Sequence, residues 1–220
     1  MARLKLAVLI SGRGSNLQSL IDACRDPAYP ADIVLVLSNE PDALGLERAR
    51  AAKIPAQVID HRDFPDRPAF EGALTAAIEK SGAGLVCLAG FMRMLTDGFV
   101  NRWRDRLVNI HPSLLPAFKG LDTHARAIAA GVRIAGCTVH FVRPAMDEGP
   151  IIAQAAVPVL PGDDAATLAV RVLAQEHVIF PVAVRLIAEG RVKVVGERAE
   201  IAGIAAIQGA LVSPAPDAKG

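Results

Sequence analysis

Three polar residues from two separate stretches of the chain could together carry out acyl-transfer chemistry. Asn109 and His111 stand two apart at the end of the apolar run Leu107-Val108, so in a strand their side chains point to the same face. Asp147 lies in a later loop. An amide can donate to an oxyanion, an imidazole can move protons, and a carboxylate can orient and charge the imidazole. The pattern therefore predicts a catalytic trio of these residues.

Each member of the trio also has an ordinary structural interpretation. A lone histidine is most often a packed or surface residue, and Asp147 precedes Glu148-Gly149-Pro150, which is common turn material. A sharper alternative is a metal site formed by His111, His140 and Asp147, with two imidazoles and one carboxylate. No metal-ligand spacing motif supports that set, so the sequence favours acid–base chemistry without a metal.

A glycine-rich turn near the N-terminus could hold a phosphate group. The segment Gly12-Arg13-Gly14-Ser15-Asn16 lies between an apolar run over 4–10 and a helical pattern. Glycines let the backbone approach a ligand closely, and a helix N-terminus offers free N–H groups. The dinucleotide fingerprint is absent, because Leu17 stands at its third glycine position. The turn could instead be a tight connection with Ser15 or Asn16 as the helix cap.

Strands and helices alternate over the first half of the chain, which is typical of a doubly wound α/β sheet. Apolar runs predict strands over 4–10, 33–37, 57–59, 85–88 and 107–110, with helices over 17–24, 42–52, 68–80 and 97–103. Residues 136–142 and 151–159 predict an antiparallel pair, and 167–189 a long helix that Pro181 kinks or splits. The predicted fold class is a mostly parallel, Rossmann-like sheet with an antiparallel C-terminal extension. One domain is expected over 1–212, with a flexible tail over 213–220.

The composition excludes several broad classes of protein. Of the 220 residues 52% are hydrophobic and the net charge is +1, which is typical of a globular protein rather than a nucleic-acid or membrane-surface binder. We expect no apolar stretch of the roughly 18 residues that span a bilayer, and no signal peptide. Three cysteines without paired spacing are typical of a reducing compartment. We therefore expect a cytoplasmic protein that binds neither nucleic acid nor membrane.

Motifs dispersed over nearly the whole chain resemble the folate-dependent phosphoribosylglycinamide formyltransferase family of purine (IMP) biosynthesis. The matching segments are 9–17, 44–49, 88–95, 109–116, 119–121, 138–142, 147–150 and 175–177. Other formyltetrahydrofolate enzymes share the asparagine–histidine–aspartate set. The first segment, together with the chain length, selects this family.

The resemblance implies a role for each matched segment. The catalytic residues would be Asn109, His111 and Asp147. The phosphoribosylglycinamide would be bound by Gly14, Ser15, Asn16, Leu17, Gln18, Leu173, Ala174, Gln175 and Glu176. The folate would be bound by Arg67, Leu88, Met92, Arg93, Met94, Leu95, Asn109, Arg143, Pro144, Ala145, Met146 and Asp147. The segment 143–146 is less acidic than in many relatives, so its folate contacts are expected from the backbone.

The implied reaction moves the formyl group of 10-formyltetrahydrofolate, as co-substrate, to the amine of 5′-phosphoribosylglycinamide. No metal is implied, and the oligomeric state stays open with a homodimer as one candidate. Methionyl-tRNA formyltransferase and formyltetrahydrofolate hydrolase are rivals, but they resemble the chain less. The first carries an added C-terminal tRNA-binding domain and the second an N-terminal regulatory domain, and neither is expected here. A non-catalytic nucleotide-binding module that uses only the glycine turn is an alternative of another class.

Overall fold

The computed structural model describes residues 2–204 and 211–213. Its strands and helices follow the chain as β1 Leu4–Ile10, α1 Ser15–Cys24, β2 Ala31–Ser38, α2 Leu44–Ala51, β3 Ala56–Val58, α3 Arg67–Ser81, β4 Leu85–Leu88, α4 Asp97–Arg102, β5 Leu107–His111, α5 Thr123–Ala129, β6 Ile134–Phe141, β7 Ile151–Pro158, α6 Ala165–Ala188, β8 Val192–Val195 and β9 Arg198–Ile201. A short 3-10 helix, His61–Asp63, precedes α3.

Seven strands form one sheet in the order β3-β2-β1-β4-β5-β6-β7, and β8 and β9 form a separate hairpin. The neighbours from β3 to β5 pair in parallel, whereas β6 is antiparallel to both β5 and β7. The strand order reverses direction between β1 and β4, which is where open α/β sheets bind their ligands. The predicted fold class is confirmed.

Alternation along β5 places the polar residues on one face of the sheet. Val108 and Ile110 belong to the hydrophobic layer that α1 and α6 cover, and Leu107 to the opposite layer, which α3 and α4 cover. Asn109 and His111 therefore lie on the α3–α4 side. Across the antiparallel pair, His140 of β6 stands opposite Asn109 and Thr138 opposite His111. Directly opposed residues share a face, so these four polar side chains form one polar surface.

The later elements depart from the prediction in two places, and one further prediction is left untested. Helix α6 runs through Pro181 to Ala188, so of the two predicted effects of this proline, splitting of the helix does not occur. The Pro181 carbonyl accepts a hydrogen bond from the Tyr29 hydroxyl at 2.7 Å. Helix α5 and the β8–β9 hairpin were not predicted, because these elements are short and none contains a continuous buried apolar run. Of the predicted tail, residues 214–220 lie outside the described residues.

Helix α6 also bears on the membrane prediction. By length and composition alone, its 24 residues are apolar enough to cross a membrane. This differs from the expectation that no segment of the chain would be. In the fold it is the central core helix, with Leu168, Val172, Phe180 and Val184 fully buried beneath the sheet. An apolar helix inside a globular protein satisfies the same criterion.

Candidate active site

The end of β5 and the loop after β6 bring the predicted catalytic trio together. The Nδ1 atom of His111 lies 3.5 Å from a carboxylate oxygen of Asp147, and their side chains are only 7% and 14% exposed. Asn109 lies two residues before His111 on the same face of β5. The structure thus places an amide, an imidazole and a carboxylate on one side of the sheet.

His111 has an oxygen acceptor beside each ring nitrogen. Its Nε2 lies 3.2 Å from the Phe118 carbonyl oxygen, and because a carbonyl oxygen only accepts, Nε2 carries the hydrogen in this contact. Its Nδ1 faces Asp147. Both separations lie at or beyond the long end of ordinary hydrogen bonds. Catalytic contacts are often long without substrate and tighten when it binds, so either contact can be exchanged for a substrate atom.

His140 orients the amide of Asn109. The His140 Nδ1 atom lies 2.9 Å from the Phe141 carbonyl oxygen, so it donates there and leaves Nε2 as an acceptor. The Asn109 amide nitrogen lies 3.4 Å from that Nε2. Burial, the largest influence, lowers the pKa of His140, which keeps this ring neutral and accepting. One N–H of the Asn109 amide remains for another acceptor.

The loop that carries Asp147 is held by backbone contacts. Asp147 has a left-handed backbone conformation with φ of 51°, and its second carboxylate oxygen accepts a 2.7 Å hydrogen bond from the Gly120 N–H. Lys119 and Glu148 form an ion pair at 2.6 Å beside it. A Cβ atom on Gly149 would lie 2.1 Å from the Phe141 carbonyl oxygen, so the close return of this loop requires glycine.

Thr138 pins the proline loop that follows His111. Its hydroxyl donates to the Ser113 carbonyl at 2.7 Å and accepts from the Leu115 N–H at 3.0 Å. Gln154 of β7 adds a donor to the same hydroxyl at 3.1 Å. Pro112 and Pro116 already restrict the backbone of this loop, and these hydrogen bonds fix it further.

The glycine turn after β1 is built for close approach. Gly14 has a φ of 67°, and a Cβ atom there would lie 2.5 Å from the Gly45 Cα. The Gly45 N–H donates to the Gly12 carbonyl at 3.0 Å, which holds α2 against the turn. Gly14 itself caps α1, and no side chain caps the helix. Capping by Ser15 or Asn16 is therefore not what the structure has, and the first N–H groups of α1 are available to a ligand.

Asn16 and Glu176 join the two segments predicted to bind the ribonucleotide. The Asn16 amide donates to a Glu176 carboxylate oxygen at 2.6 Å in a buried contact. Burial raises the pKa of Glu176, and the Asn16 hydrogen bond opposes that shift. The Asn16 amide oxygen is buried without a partner among the residues described. An unpaired buried acceptor is costly, so this oxygen favours a ligand that brings a donor.

The other residues of these segments differ in what they present. Leu17 is fully buried in the core, so only its backbone can serve a ligand. Gln18 accepts a hydrogen bond from Arg48 at 3.3 Å. Leu173 and Gln175 are half-buried, and Ala174 is exposed.

Arg48 of α2 contacts the glycine turn, and it was not among the residues predicted from the sequence. Its guanidinium donates to the Arg13 carbonyl at 2.9 Å and to Gln18, which places a positive charge beside the glycine turn. Arg48 stands three positions after Gly45 on α2, and residues at this spacing share a helix face. The sequence could therefore have indicated Arg48 only if the contact between Gly45 and Gly14 had been known.

The predicted folate residues fall into a cavity and an exposed apolar rim. A cavity of about 260 Å³ brings Arg67 of α3 beside Arg93, which follows β4; its remaining lining is His61, Phe64, Asp66 and Phe70. Met92 and Met94 are exposed, as are Pro144, Ala145 and Met146, whereas Leu88 is buried and Leu95 half-buried. Large apolar side chains left exposed in such numbers mark a ligand or partner surface.

Ser11 links the glycine turn to this apolar rim, and it too was missed. Its hydroxyl accepts from the Met92 N–H at 2.7 Å and donates to the Asn39 amide oxygen at 2.5 Å. The residue lies at the carboxyl end of β1, beside the end of β4 across the point where the strand order reverses. From the sequence alone, a serine between a strand and a glycine indicates only an ordinary turn residue.

The side chain of Arg143 and the alternative metal set remain to be placed. The Arg143 guanidinium is engaged by Asp105 and Glu197, each at 2.7 Å, so it is directed to carboxylates of the protein, whereas residues 144–146 are exposed. For the alternative metal site, no group of three or more histidine, cysteine or acidic residues suited to a metal ion occurs within the described part of the chain.

Comparison with known proteins places this site in a family. The formyl transferase family model matches residues 4–184. The chain is 45% identical over 190 residues to the phosphoribosylglycinamide formyltransferase of Escherichia coli, covering 86% of this chain and 90% of the bacterial protein. It is 53% identical over 197 residues to the trifunctional purine biosynthetic protein adenosine-3 of Drosophila pseudoobscura pseudoobscura, covering 89% of this chain but 14% of that much longer protein.

A solved structure agrees with these relatives. The crystal structure of glycinamide ribonucleotide transformylase 1 from Symbiobacterium toebii matches with a TM-score of 0.88 and 49% identity, over 90% of this chain and 94% of the other. Identity at this level over nearly all of both chains reaches well beyond a shared fold. The chain therefore belongs to the formyl transferase family, among its phosphoribosylglycinamide formyltransferases.

Proposed function

We propose that this protein transfers the formyl group of 10-formyltetrahydrofolate to the amine of 5′-phosphoribosylglycinamide, giving phosphoribosyl-N-formylglycinamide and tetrahydrofolate in purine (IMP) biosynthesis. The observation that carries the proposal is the 3.5 Å approach of His111 to Asp147 on the face that also holds Asn109. The glycine turn with its free helix N-terminus starts at the neighbouring switch point of the sheet. One site thus combines a proton donor, an oxyanion donor and an anion cradle.

The ribonucleotide is assigned to the surface between α1 and α6. The backbone N–H groups at the start of α1 suit a phosphate, except that of Gln18, which donates to the Gly14 carbonyl at 2.9 Å, so Gln18 is assigned through its side chain. The Arg48 guanidinium beside them adds positive charge. The unpaired Asn16 amide oxygen can accept from a ribose hydroxyl or an amide. Glu176, bonded to the same Asn16, is assigned to the glycinamide end. These contacts support a phosphorylated substrate with hydrogen-bond donors.

The folate is assigned to the exposed apolar rim and the adjoining cavity. Met92, Met94 and Met146 offer adaptable apolar contacts for a flat heterocycle. Backbone groups of residues 143–147 would supply its polar contacts, because residues 143–146 carry no acidic side chain. Arg67 and Arg93 line the cavity of about 260 Å³ and suit a carboxylate-bearing tail. Leu88 and Leu95 would pack beneath the ring.

The chemistry assigned to the trio needs no covalent enzyme intermediate, because the substrate amine is itself the nucleophile. As the amine attacks the formyl carbon, negative charge develops on the formyl oxygen, and the free N–H of Asn109 donates to it. The folate nitrogen leaves well only when protonated. His111 donates that proton, directly or through water, as the bond between the formyl carbon and the folate nitrogen breaks, and the proton that the attacking amine loses returns to the ring. Asp147 holds the ring and stabilises its positive charge.

A panel of formyl acceptors tests the proposal. Purified protein with 10-formyltetrahydrofolate is offered phosphoribosylglycinamide, water alone, or methionyl-tRNA, and formylated products and free formate are identified by mass. We expect formylation of phosphoribosylglycinamide only, and its loss in His111→Ala. Formate release without an acceptor would indicate a hydrolase, and formylated tRNA a tRNA formyltransferase. Binding without turnover would indicate a nucleotide-binding module.

Three further assignments belong to this proposal. We assign one domain to residues 1–212, supported by a single seven-stranded sheet covered on both faces. A cytoplasmic location is supported by three free cysteines, which are typical of reducing compartments. A homodimer stays a prediction, and size measurement in solution would test it.

A further inference from the structure

The loop between β6 and β7 is attached to the rest of the protein near both of its ends. Asp147, near its end, contacts His111 at the carboxyl end of β5. Arg143, at its start, contacts Asp105, which precedes the other end of β5. The two attachments therefore lie toward opposite ends of β5. The stretch of loop between them is held at both of its ends.

The Arg143 attachment is unusually complete for a loop residue. The side chain is 6% exposed and reaches two carboxylates, Asp105 and Glu197, each at 2.7 Å, while a third nitrogen donates to the Val142 carbonyl at 3.1 Å. A Cβ atom on Gly149 would lie 2.9 Å from the Arg143 Cγ, so the stem of Arg143 packs against the far end of the same loop. A planar guanidinium bound on several edges has one orientation only.

The carboxylates come from two elements outside the loop. Asp105 lies in the turn between α4 and β5 with a left-handed φ of 58°. Glu197 lies in the turn of the β8–β9 hairpin and is shared with Arg104 at 2.7 Å. The two arginines, Arg143 foremost, lower the pKa of Glu197, so this carboxylate is charged near neutral pH. Glu197 also lies beyond residues 4–184, the part that the family model matches.

We infer that Arg143 is a positioning residue, through which the β8–β9 hairpin and the Asp105 turn hold the 143–149 loop so that Asp147 stays beside His111. The inference rests on the proposed function for its kinetic consequence, but not for the loop contact itself. The loop has few other anchors at its start, since Pro144, Ala145 and Met146 are exposed. Loss of the ion pairs would free the start of the loop, and the position of Asp147 would then depend on the Gly120 contact and the neighbouring Lys119–Glu148 ion pair at its end.

Hydrogen exchange tests the attachment without reference to catalysis. Glu197→Gln removes one charge at an exposed site, Asp105→Asn removes the other and keeps a residue that tolerates a left-handed backbone, and Arg143→Gln removes both pairs. We expect peptides that cover 142–150 to exchange at least about threefold faster in Glu197→Gln and more in Arg143→Gln. The matched control is Glu200→Gln, which removes an exposed charge from the same hairpin. Equal exchange in all variants and wild type would overturn the inference.

Steady-state kinetics test the positioning of Asp147. A misplaced catalytic group costs up to about 100-fold, and we expect about a tenfold loss of kcat/KM for 10-formyltetrahydrofolate in Glu197→Gln, with the KM for the ribonucleotide within twofold of wild type. Faster loop exchange with kcat/KM unchanged would show that Arg143 holds the loop without positioning Asp147, and would overturn the inference. If wild type transfers no formyl group, the proposed function fails, and the exchange experiment still decides whether Arg143 holds the loop.

Discussion

The Nε2 atom of His140 lies 3.4 Å from the amide nitrogen of Asn109, and it can only accept there because Nδ1 donates to the Phe141 carbonyl. Because the buried imidazole accepts, it fixes the orientation of the Asn109 amide. One N–H of the amide points to His140, and the other is left free for the site. An oxyanion donor works best when its orientation is set before the reaction. His140 is therefore a positioning residue for Asn109 in the proposed mechanism.

Replacing His140 with leucine should lower kcat about tenfold, a fraction of the 10²–10³-fold cost of removing an oxyanion donor outright. The reason is that the Asn109 amide loses its acceptor and can turn its oxygen into the site. The decisive measurement is a double-mutant cycle on kcat with Asn109→Ala. If His140 acts through Asn109, the leucine variant should cost little more once the amide is gone. A full tenfold loss in the Asn109→Ala background would contradict this relationship.

His111→Ala should depress kcat by roughly 10²–10⁴-fold, the range for a positioned general acid. Binding of both substrates should change little, since the ribonucleotide and folate contacts assigned above come from other residues. Turnover would be measured by product mass and binding by calorimetry with each substrate in turn. A variant that turns over near the wild-type rate would rule out the proton-donor role.

Asp147→Asn separates the charge of this residue from its place in the loop. The asparagine oxygen can still accept from the Gly120 N–H, so the loop should keep its course while the charge beside His111 is lost. We expect kcat to fall roughly tenfold or more, with the KM values for both substrates nearly unchanged. Thermal unfolding provides the control for the fold. A variant with wild-type kcat would argue against a role for the Asp147 charge beside His111.

The catalytic trio could be predicted from the sequence because its logic is mostly local. Asn109 and His111 share a face through strand periodicity alone, and the apolar run before them identifies the strand. The carboxylate of Asp147 suggests a partner for the imidazole, but its approach to His111 depends on how a glycine-proline loop folds, which nothing local specifies. The buried parallel strands were equally readable, because their two-sided burial leaves continuous apolar runs.

The residues that hold the trio in place could not be predicted. His140 orients Asn109 only because β6 pairs with β5 in one register, and a shift of one residue would turn it to the other face. Arg143 depends on Asp105 and Glu197, from two separate elements, and Arg48 on a contact between two glycines. Such roles arise from tertiary contacts between distant segments, which composition and spacing do not encode.

The Gly14 turn makes a sharp prediction about the ribonucleotide. Gly14→Ala puts a Cβ atom 2.5 Å from the Gly45 Cα at a φ of 67°, so it should cost on the order of 1–3 kcal/mol in stability and displace the N–H groups that face the phosphate. We expect a raised KM for the ribonucleotide with the folate KM nearly unchanged. Gly12→Ala is the matched control for stability, because its Cβ would meet nothing within 4 Å. Selective loss of folate binding in Gly14→Ala would contradict the assignment.

Glu176 predicts an unusual dependence of stability on pH. Burial raises its folded-state pKa above the ordinary value of 4.5, so the folded protein holds this proton more tightly than the unfolded chain. The resulting stability is fully present below the unfolded-state pKa and is lost as pH rises through the folded-state pKa.

Glu176→Gln cannot titrate, yet its amide oxygen can still accept from Asn16. Its Tm should therefore match wild type near pH 4 and exceed it at pH 8, by roughly 2–4 °C for each kcal/mol of burial cost removed. Formyl transfer should fall in the same variant, because the carboxylate assigned to the glycinamide end is gone. Thermal unfolding across this pH range measures the difference. A Tm gap that shrinks as pH rises would mean that Asn16, rather than burial, governs the carboxyl group.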